Sequence, residues 1–181
     1  MRTVDVVISI GWLVFWVGWL VAAANVKSGR RHWGRSTGAR VVLILAVIAL
    51  NRLRPFRHET TTQPALAAIG IALFVLGLAL AVWARVHLGR NWGSPMSEKD
   101  DPELVTTGPY RWIRNPIYSG LILALVGTAF AINLHWLLVV ALVGGFFVYS
   151  AFMEQRYMSE QFPDTYPAYR SSTKMLIPFV F

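Results

Sequence analysis

Four residues in the second half of the chain have the types and spacing to bind a small zwitterion. Pro116 begins an apolar run, and proline suits the first helical position because its missing N–H would be unpaired there anyway. The free N–H groups of such a first turn favour a carboxylate, while Asn115 can cap the turn or donate an amide hydrogen bond and Tyr118 adds a hydroxyl. Glu154 could receive an ammonium group, or could equally be a solvated residue at a membrane boundary. The set suits an amino-acid-like ligand.

The elements that position these residues are membrane helices, because the apolar residues form long runs rather than periodic stripes. A spanning helix needs about 20 mostly apolar residues. Five runs reach or approach this length, and the short second run is flanked by Arg40 and Arg52, which could snorkel. The runs cover residues 4–24, 39–50, 64–84, 117–132 and 134–153. The sequence therefore predicts an all-α integral membrane protein with about five transmembrane helices, a signal peptide being the alternative for the first run.

The connections between the runs predict where the site lies. Asn133 alone separates the last two runs, which indicates a tight antiparallel helical hairpin. The long polar segment 85–115 is rich in glycine and proline and predicts a loop, and residues 154–181 form a polar tail. We expect this loop and tail to meet and form the active site. The first two membrane helices, in residues 1–63, then precede a catalytic core in residues 64–181.

The composition excludes several kinds of site and partner. Of the 181 residues, 55% are hydrophobic and 14% are charged, and the absence of cysteine excludes disulfides, thiolate metal sites and cysteine nucleophiles. No metal site is predicted. Lys and Arg outnumber Asp and Glu by 17 to 9, but the cations flank apolar runs, which favours an anionic membrane surface over nucleic acid. No obligate protein partner is indicated.

The distribution of cations predicts the orientation in the membrane. The first loop and the 85–115 loop are rich in Lys and Arg, and the turn at Asn133 has none. The positive-inside rule therefore places the first loop, the 85–115 loop and the tail in the cytoplasm, with the N-terminus outside. Three arginines in the second loop, Arg52, Arg54 and Arg57, argue mildly against this orientation.

Several short motifs, in order and at the right separations, resemble the isoprenylcysteine carboxyl methyltransferase family. Residues 104–110 and 114–120 look like that family's Leu-Val-Thr-x-Gly-Pro-Tyr followed by Arg-His-Pro-x-Tyr-x-Gly. Residues 88–92 resemble its segment after the third span. The downstream matches are Glu154, Phe162, Tyr166, Tyr169, Ile177 and Pro178. The resemblance covers about residues 83–178, more than half of the chain.

The resemblance implies a membrane methyltransferase that uses S-adenosylmethionine, bound between the last two spans and the tail. The cofactor contacts it implies are Leu104, Val105, Tyr110, Asn115, Pro116, Ile117, Tyr118 and Glu154. Ordinary packing is the alternative for the three aliphatic residues, and Arg114 is read as a structural anchor or a head-group contact. No catalytic residue is assigned. If the acceptor needs a general base, Glu154 or His87 is the nearest candidate, although His87 could be an interfacial residue.

Departures from the family pattern bear on the methyl acceptor. Asn115 replaces a histidine, Gln155 a second glutamate and Pro163 a glycine. Ser150 stands where enzymes acting on prenylcysteine carboxylates have an arginine, so a carboxylate acceptor is not expected. The sequence favours transfer to a lipid or another lipophilic small molecule. Two alternatives stay open: a phospholipid N-methyltransferase, and a non-catalytic membrane protein or a membrane reductase that uses a nicotinamide cofactor.

Overall fold

A computed structural model describes residues 3–23, 35–53, 56, 61–89 and 103–181. Within those residues the chain is helical, and its one β-contact is an isolated bridge between Ile113 and Lys174. A 3₁₀ turn at Gly108–Arg111 precedes the fourth α-helix. The helices are α1 Thr3–Ala23, α2 Arg35–Arg52, α3 Pro64–Leu88, α4 Pro116–Ala131, α5 Trp136–Gln161 and α6 Tyr166–Ser172. The predicted all-α architecture is confirmed.

Three of these helices are long and apolar enough to cross a membrane. They are Thr3–Ala22, Pro64–Leu88 and Trp136–Gln161, with 20, 25 and 26 residues. Helix α4 has 16 residues, about 24 Å at 1.5 Å per residue, and the apolar part of α2 covers only Val41–Leu50. Both are short against a hydrocarbon core about 30 Å thick. The chain is an integral membrane protein, whereas the count of five spans stays a prediction.

The centre of the fold is the close packing of α3 against α4 through glycines. A Cβ atom added to Gly77 would lie 2.4 Å from the backbone nitrogen of Ala124, and one added to Gly127 would lie 2.3 Å from that of Phe74. Gly70 and Gly120 meet backbone atoms of the facing helix in the same way. Small residues allow helices to approach closely in lipid. These glycines therefore form contacts between two helices of one chain.

Helix α5 extends further than the sequence indicated. The tail was expected to begin at Glu154, but α5 continues to Gln161 and Phe162 follows it as the C-cap residue. Residues 154–161 contain no proline or glycine and are mostly good helix formers, so nothing stops the helix where the apolar run ends. Glu154 consequently lies inside a helix, two turns before its end. Four residues, 132–135, separate α4 from α5 in place of the single Asn133.

Candidate active site

The C-terminal tail is joined to the segment before α4 by backbone hydrogen bonds. The N–H of Arg114 donates to the carbonyl of Lys174 at 2.8 Å, and the N–H of Asn115 to that of Met175 at 3.1 Å. The N–H of Lys174 donates back to Trp112 at 3.0 Å. This pairing places the tail beside the start of α4, as the motif order had indicated.

Arg114 strengthens the same junction with its side chain. Its Nη1 donates to the carbonyls of Thr173 and Arg170 at 2.5 and 3.0 Å, and Nη2 approaches Oε1 of Gln155 at 3.4 Å. Burial lowers the pKa of the Arg114 guanidinium. Several acceptors around one cation reduce the cost of that burial. These are the contacts of a structural anchor, which favours that reading of Arg114 over a head-group contact.

A cavity of about 240 Å³ opens between this junction and the membrane helices. Five of the eight predicted cofactor residues line it: Tyr110, Asn115, Ile117, Tyr118 and Glu154. Arg114 and five apolar residues that the sequence did not assign to the site complete the lining. The apolar residues are Trp16, Trp19, Leu88, Leu121 and Phe147. The wall thus combines five polar side chains with six aromatic or aliphatic ones.

Three predicted residues lie outside the lining of this cavity. Leu104 and Val105 are half-buried in the extended segment before the 3₁₀ turn, and Pro116 is buried at the start of α4. Contact of these three residues with the cofactor stays a prediction. Proline at this position fixes the first turn of α4 and so the direction of Ile117 and Tyr118.

Tyr118 and Glu154 form the polar centre of the cavity. The Tyr118 hydroxyl donates to Oε1 of Glu154 at 2.6 Å, joining α4 to α5. The Tyr118 ring stacks on Phe147, with ring centroids 4.6 Å apart and an angle of 11° between the planes. A hydrogen bond of this length to an ionised carboxylate is strong, and the stacked ring restricts the phenol. The carboxylate is therefore held in one place and faces the cavity.

Asn115 does not cap α4 with its side chain. Its Nδ2 donates instead to the carbonyl of Met175 at 3.1 Å, so the amide hydrogen bond is the alternative that the structure bears out. The residue has φ −126° and ψ 58°, which directs its side chain to the tail rather than back over the first turn. Asn115 thus fixes the tail and lines the cavity at once.

Two tyrosines of the loop and tail remain neutral hydrogen-bonding groups. Burial raises the pKa of Tyr110 far above the ordinary value, and the nearby carboxylate of Glu154 raises it further. Burial likewise raises the pKa of Tyr169, whose hydroxyl donates to the carbonyl of Tyr110 at 2.8 Å. Because a raised pKa favours the protonated phenol, neither ring supplies a base at neutral pH.

His87 lies beside this site but is not part of the cavity wall. Its Nδ1 is 3.0 Å from the carbonyl of Trp83 on its own helix. Its ring packs so closely on Gly108 that a Cβ atom there would lie 2.3 Å from it, and Gly108 has a positive φ of 59°. The ring therefore shapes the 3₁₀ turn, and its contacts favour a packing role over that of a base.

The sequence missed the contributions of α1 and of Phe147. Trp16 and Trp19 are three residues apart, and Phe147 is seven residues before Glu154, so each pair shares one helix face. That spacing was the available signal. It is weak here, because runs that are apolar all round give no indication of which face packs against protein.

A family model described as phospholipid methyltransferase matches residues 66–165. That match covers more than half of the 181 residues and contains most of α3, all of α4 and α5, and the cavity residues of the loop. The chain belongs to the phospholipid methyltransferase family. Family membership agrees with the resemblance seen in the sequence and with an integral membrane methyltransferase.

Two curated relatives are similar to this phospholipid methyltransferase family member. An uncharacterized protein from Bacillus subtilis, YpbQ, is 28% identical over 102 residues, which are 56% of this chain and 57% of the relative. A protein-S-isoprenylcysteine O-methyltransferase from Saccharomyces cerevisiae is 26% identical over 159 residues, which are 86% of this chain and 66% of the yeast protein. The chain thus spans less than two thirds of the length of either relative.

Proposed function

We propose that this protein transfers a methyl group from S-adenosylmethionine to a lipophilic or amphiphilic acceptor in the membrane. The observation that carries the proposal is the Tyr118–Glu154 pair, whose oxygens are 2.6 Å apart, in the wall of a cavity that also has six aromatic or aliphatic residues. Membership of a methyltransferase family supports the reaction type. The apolar remainder of the wall supports a lipophilic acceptor.

The polar residues of the cavity fit the amino-acid part of this cofactor. Glu154 would hold its ammonium group, since a carboxylate fixed by a short hydrogen bond is a preorganised anion. Asn115 and the neutral phenol of Tyr110 would contribute polar contacts, and Ile117 a packing contact. The family resemblance also implies contacts from Leu104, Val105 and Pro116. The first-turn N–H groups of α4 would favour the carboxylate.

When bound, S-adenosylmethionine supplies an electrophilic methyl group on a sulfonium. The residues of this chain then have to align the acceptor and exclude water, which are effects of position and environment. Glu154 is the one carboxylate of the cavity wall in the described part of the chain. An acceptor that must lose a proton would therefore depend on Glu154 or on water, because His87 does not line the cavity.

Binding of S-adenosylhomocysteine, the product of such a reaction, tests the cofactor assignment. We expect a saturable heat of binding when S-adenosylhomocysteine is titrated into purified protein in detergent or nanodiscs, and none with NADPH. Binding of NADPH alone would favour the reductase alternative. Binding of neither molecule would contradict the proposed function and favour a non-catalytic protein.

The acceptor class depends on the face of α5 that bears Phe147 and Glu154. Ser150 lies three residues after the first and four before the second, so it belongs to the same face. Ser150 is fully buried and too short to reach the cavity wall, and within the described residues its hydroxyl has no hydrogen-bond partner. No cation therefore stands at the position where prenylcysteine-methylating enzymes have arginine.

We expect poor methylation of a prenylcysteine carboxylate. Moving a carboxylate into this cavity is costly unless a cation offsets its desolvation, and a serine hydroxyl cannot replace a bidentate guanidinium. Arg114 lines the cavity, but its guanidinium is already bonded to the carbonyls of Thr173 and Arg170. Incubation with labelled S-adenosylmethionine and a farnesylated cysteine analogue measures this as base-labile methyl ester. Efficient, saturable ester formation would show that another cation, such as Arg111 or Arg170, reaches the substrate.

A phospholipid amine is the second candidate acceptor, and the description of the matching family favours it. An amine head group needs no partner cation, and Glu154 supplies a carboxylate in the cavity wall, whereas the guanidinium of Arg114 is bonded to carbonyls of the tail. Lipid extracts of cells that express the protein distinguish the two candidates. Methylated ethanolamine lipids, present with the protein and absent without it, would identify the phospholipid reaction.

We propose that the cavity opens to the cytoplasm and that the N-terminus lies outside, from the cation distribution. Cysteine-accessibility labelling can test this in a chain without native cysteine. We expect Ser97→Cys and Ser171→Cys to react with an impermeant reagent only from the cytoplasmic side. Ser171 is an exposed residue near the C-terminal end of α6, and Ser97 lies outside the described residues. Labelling of the two positions from opposite sides would rule out a site built by both loop and tail.

A further inference from the structure

Helix α1 supplies part of the cavity wall although it lies outside the matched family region. Trp16 and Trp19 both line the cavity, whereas the family model begins at residue 66. Trp16 is also 47% exposed. A ring that lines the cavity and is half exposed in a membrane helix stands at the open edge of that cavity. The edge of the cavity consequently lies at the membrane-facing side of α1.

Few contacts hold α1 against the other helices. Near its middle, Nε1 of Trp12 donates to Oγ1 of Thr128 at 3.1 Å, and Gly11 allows the Phe74 ring to approach. Phe15 is buried against Ala81 and Leu121. Trp19 packs against the same cluster, and the last turn of α1, which follows Trp19, has a further contact with α3.

Arg85 of α3 provides that contact. Its Nη2 donates to the carbonyl of Ala22 at 2.9 Å, and its Nη1 to the carbonyl of Gly89 at 2.8 Å. Both acceptors lie at the C-terminal end of a helix, where carbonyls have no intrahelical partner and carry partial negative charge. The last turn of α1 has no basic residue of its own. One guanidinium therefore ties the ends of α1 and α3 together, directly after Trp19 and Leu88.

We propose that Arg85 is a positioning residue that holds the end of α1 against the cavity, so that Trp16 and Trp19 form the surface on which the apolar part of the methyl acceptor packs. This rests on the proposed function and deepens it. The acceptor is then an amphiphile whose apolar chain enters from lipid past Trp16 while its reacting head group reaches the Glu154 end. Arg85 does not line the cavity and acts through the tryptophans.

Photolabelling in nanodiscs tests this wall directly. The probe is a long-chain alkyl amine with a diazirine in its chain, competed by the unlabelled amine, and labelled peptides are located by mass spectrometry. We expect competable labelling of α1 at Trp16 or Trp19 and of α5 near Phe147. Arg85→Met should reduce the competable α1 labelling on the order of tenfold, the effect of losing a charged hydrogen bond, while the Kd for S-adenosylhomocysteine stays unchanged.

Matched variants separate positioning from folding. Trp19→Ala should show the same loss with the Arg85 hydrogen bonds intact, and Arg85→Lys, which keeps the charge, should restore part of the labelling. Leu20→Ala, at an exposed neighbour of Trp19, should behave as wild type.

Two results would overturn the proposal. One is α1 labelling that the unlabelled amine does not compete, which would mean that α1 faces lipid alone. The other is equal loss of S-adenosylhomocysteine affinity and of α1 labelling in Arg85→Met, which would indicate a general structural role. If the wild type fails to bind S-adenosylhomocysteine but keeps competable labelling, the proposed function is contradicted. The packing of an apolar chain on Trp16 and Trp19 is still supported.

Discussion

Gly77→Val is expected to abolish stable folding of the helix pair α3–α4. The first added carbon would lie 2.4 Å from the nitrogen of Ala124 and 2.5 Å from the carbonyl oxygen of Gly120. Both are backbone atoms, so no side-chain rotation relieves the clash and the two helices must separate. We expect a free-energy cost of about 3 kcal/mol or more. Thermal unfolding of the protein in detergent, followed by light scattering, measures it.

The matched control is Gly144→Val in α5, where an added Cβ meets nothing within 4 Å among the described residues. The two substitutions make the same chemical change inside a membrane helix, so intrinsic helix propensity cancels. We expect the control to unfold at the wild-type temperature. Equal unfolding temperatures for both variants would show that α3 and α4 do not pack through this contact.

The second large effect is expected at the Tyr118–Glu154 pair. Glu154→Gln keeps the shape and removes the charge, while Tyr118→Phe keeps the stack on Phe147 and removes the 2.6 Å hydrogen bond. Losing a hydrogen bond to a charged group costs about 1.5–3 kcal/mol, so affinity for S-adenosylhomocysteine should fall roughly 10- to 150-fold in Glu154→Gln. Tyr118→Phe should act in the same direction, because the carboxylate loses the group that fixes it.

Isothermal calorimetry with the single and double variants measures these changes. Because the two residues are directly bonded, we expect the double variant to lose less than the sum of the single losses. Tyr149→Phe is the control, since Tyr149 lies on the same helix and is 49% exposed. Unchanged affinity in both well-folded single variants would remove the pair from the cofactor site and leave the cavity to another ligand.

The polar half of the candidate site could be predicted from the sequence to a useful extent. Asn115 and Tyr118 stand at the start of a helix, where residue type constrains backbone geometry and polar groups need partners, and Glu154 is the first charged residue after a long apolar run. Their motif order also resembled one family. The structure then brought Tyr110, Ile117 and these three residues to one cavity. Their role in binding the cofactor remains a prediction for the experiments above.

Helix ends and lengths were harder to predict from the same runs. The apolar run stops at Met153, yet α5 continues to Gln161, because polar helix formers extend a helix into water as readily as apolar ones. Helix α4 has only 16 residues, which is shorter than a full membrane span but long enough for its glycine contacts with α3. Hydropathy predicts which residues can lie in lipid, whereas backbone hydrogen bonding determines where a helix ends.

The sequence by itself determined that the chain is an all-helical membrane protein and which motifs surround its polar site. Only the tertiary structure decided which apolar residues face the cavity. Trp16, Trp19 and Phe147 belong to helices that are apolar on every side, and lipid is as apolar as a protein interior. Such helices carry no stripe that distinguishes a lipid-facing residue from a wall residue. Which residues line the cavity follows from two long-range contacts. They are the packing of α3 on α4 through glycines and the hydrogen bond from Arg85 to the end of α1.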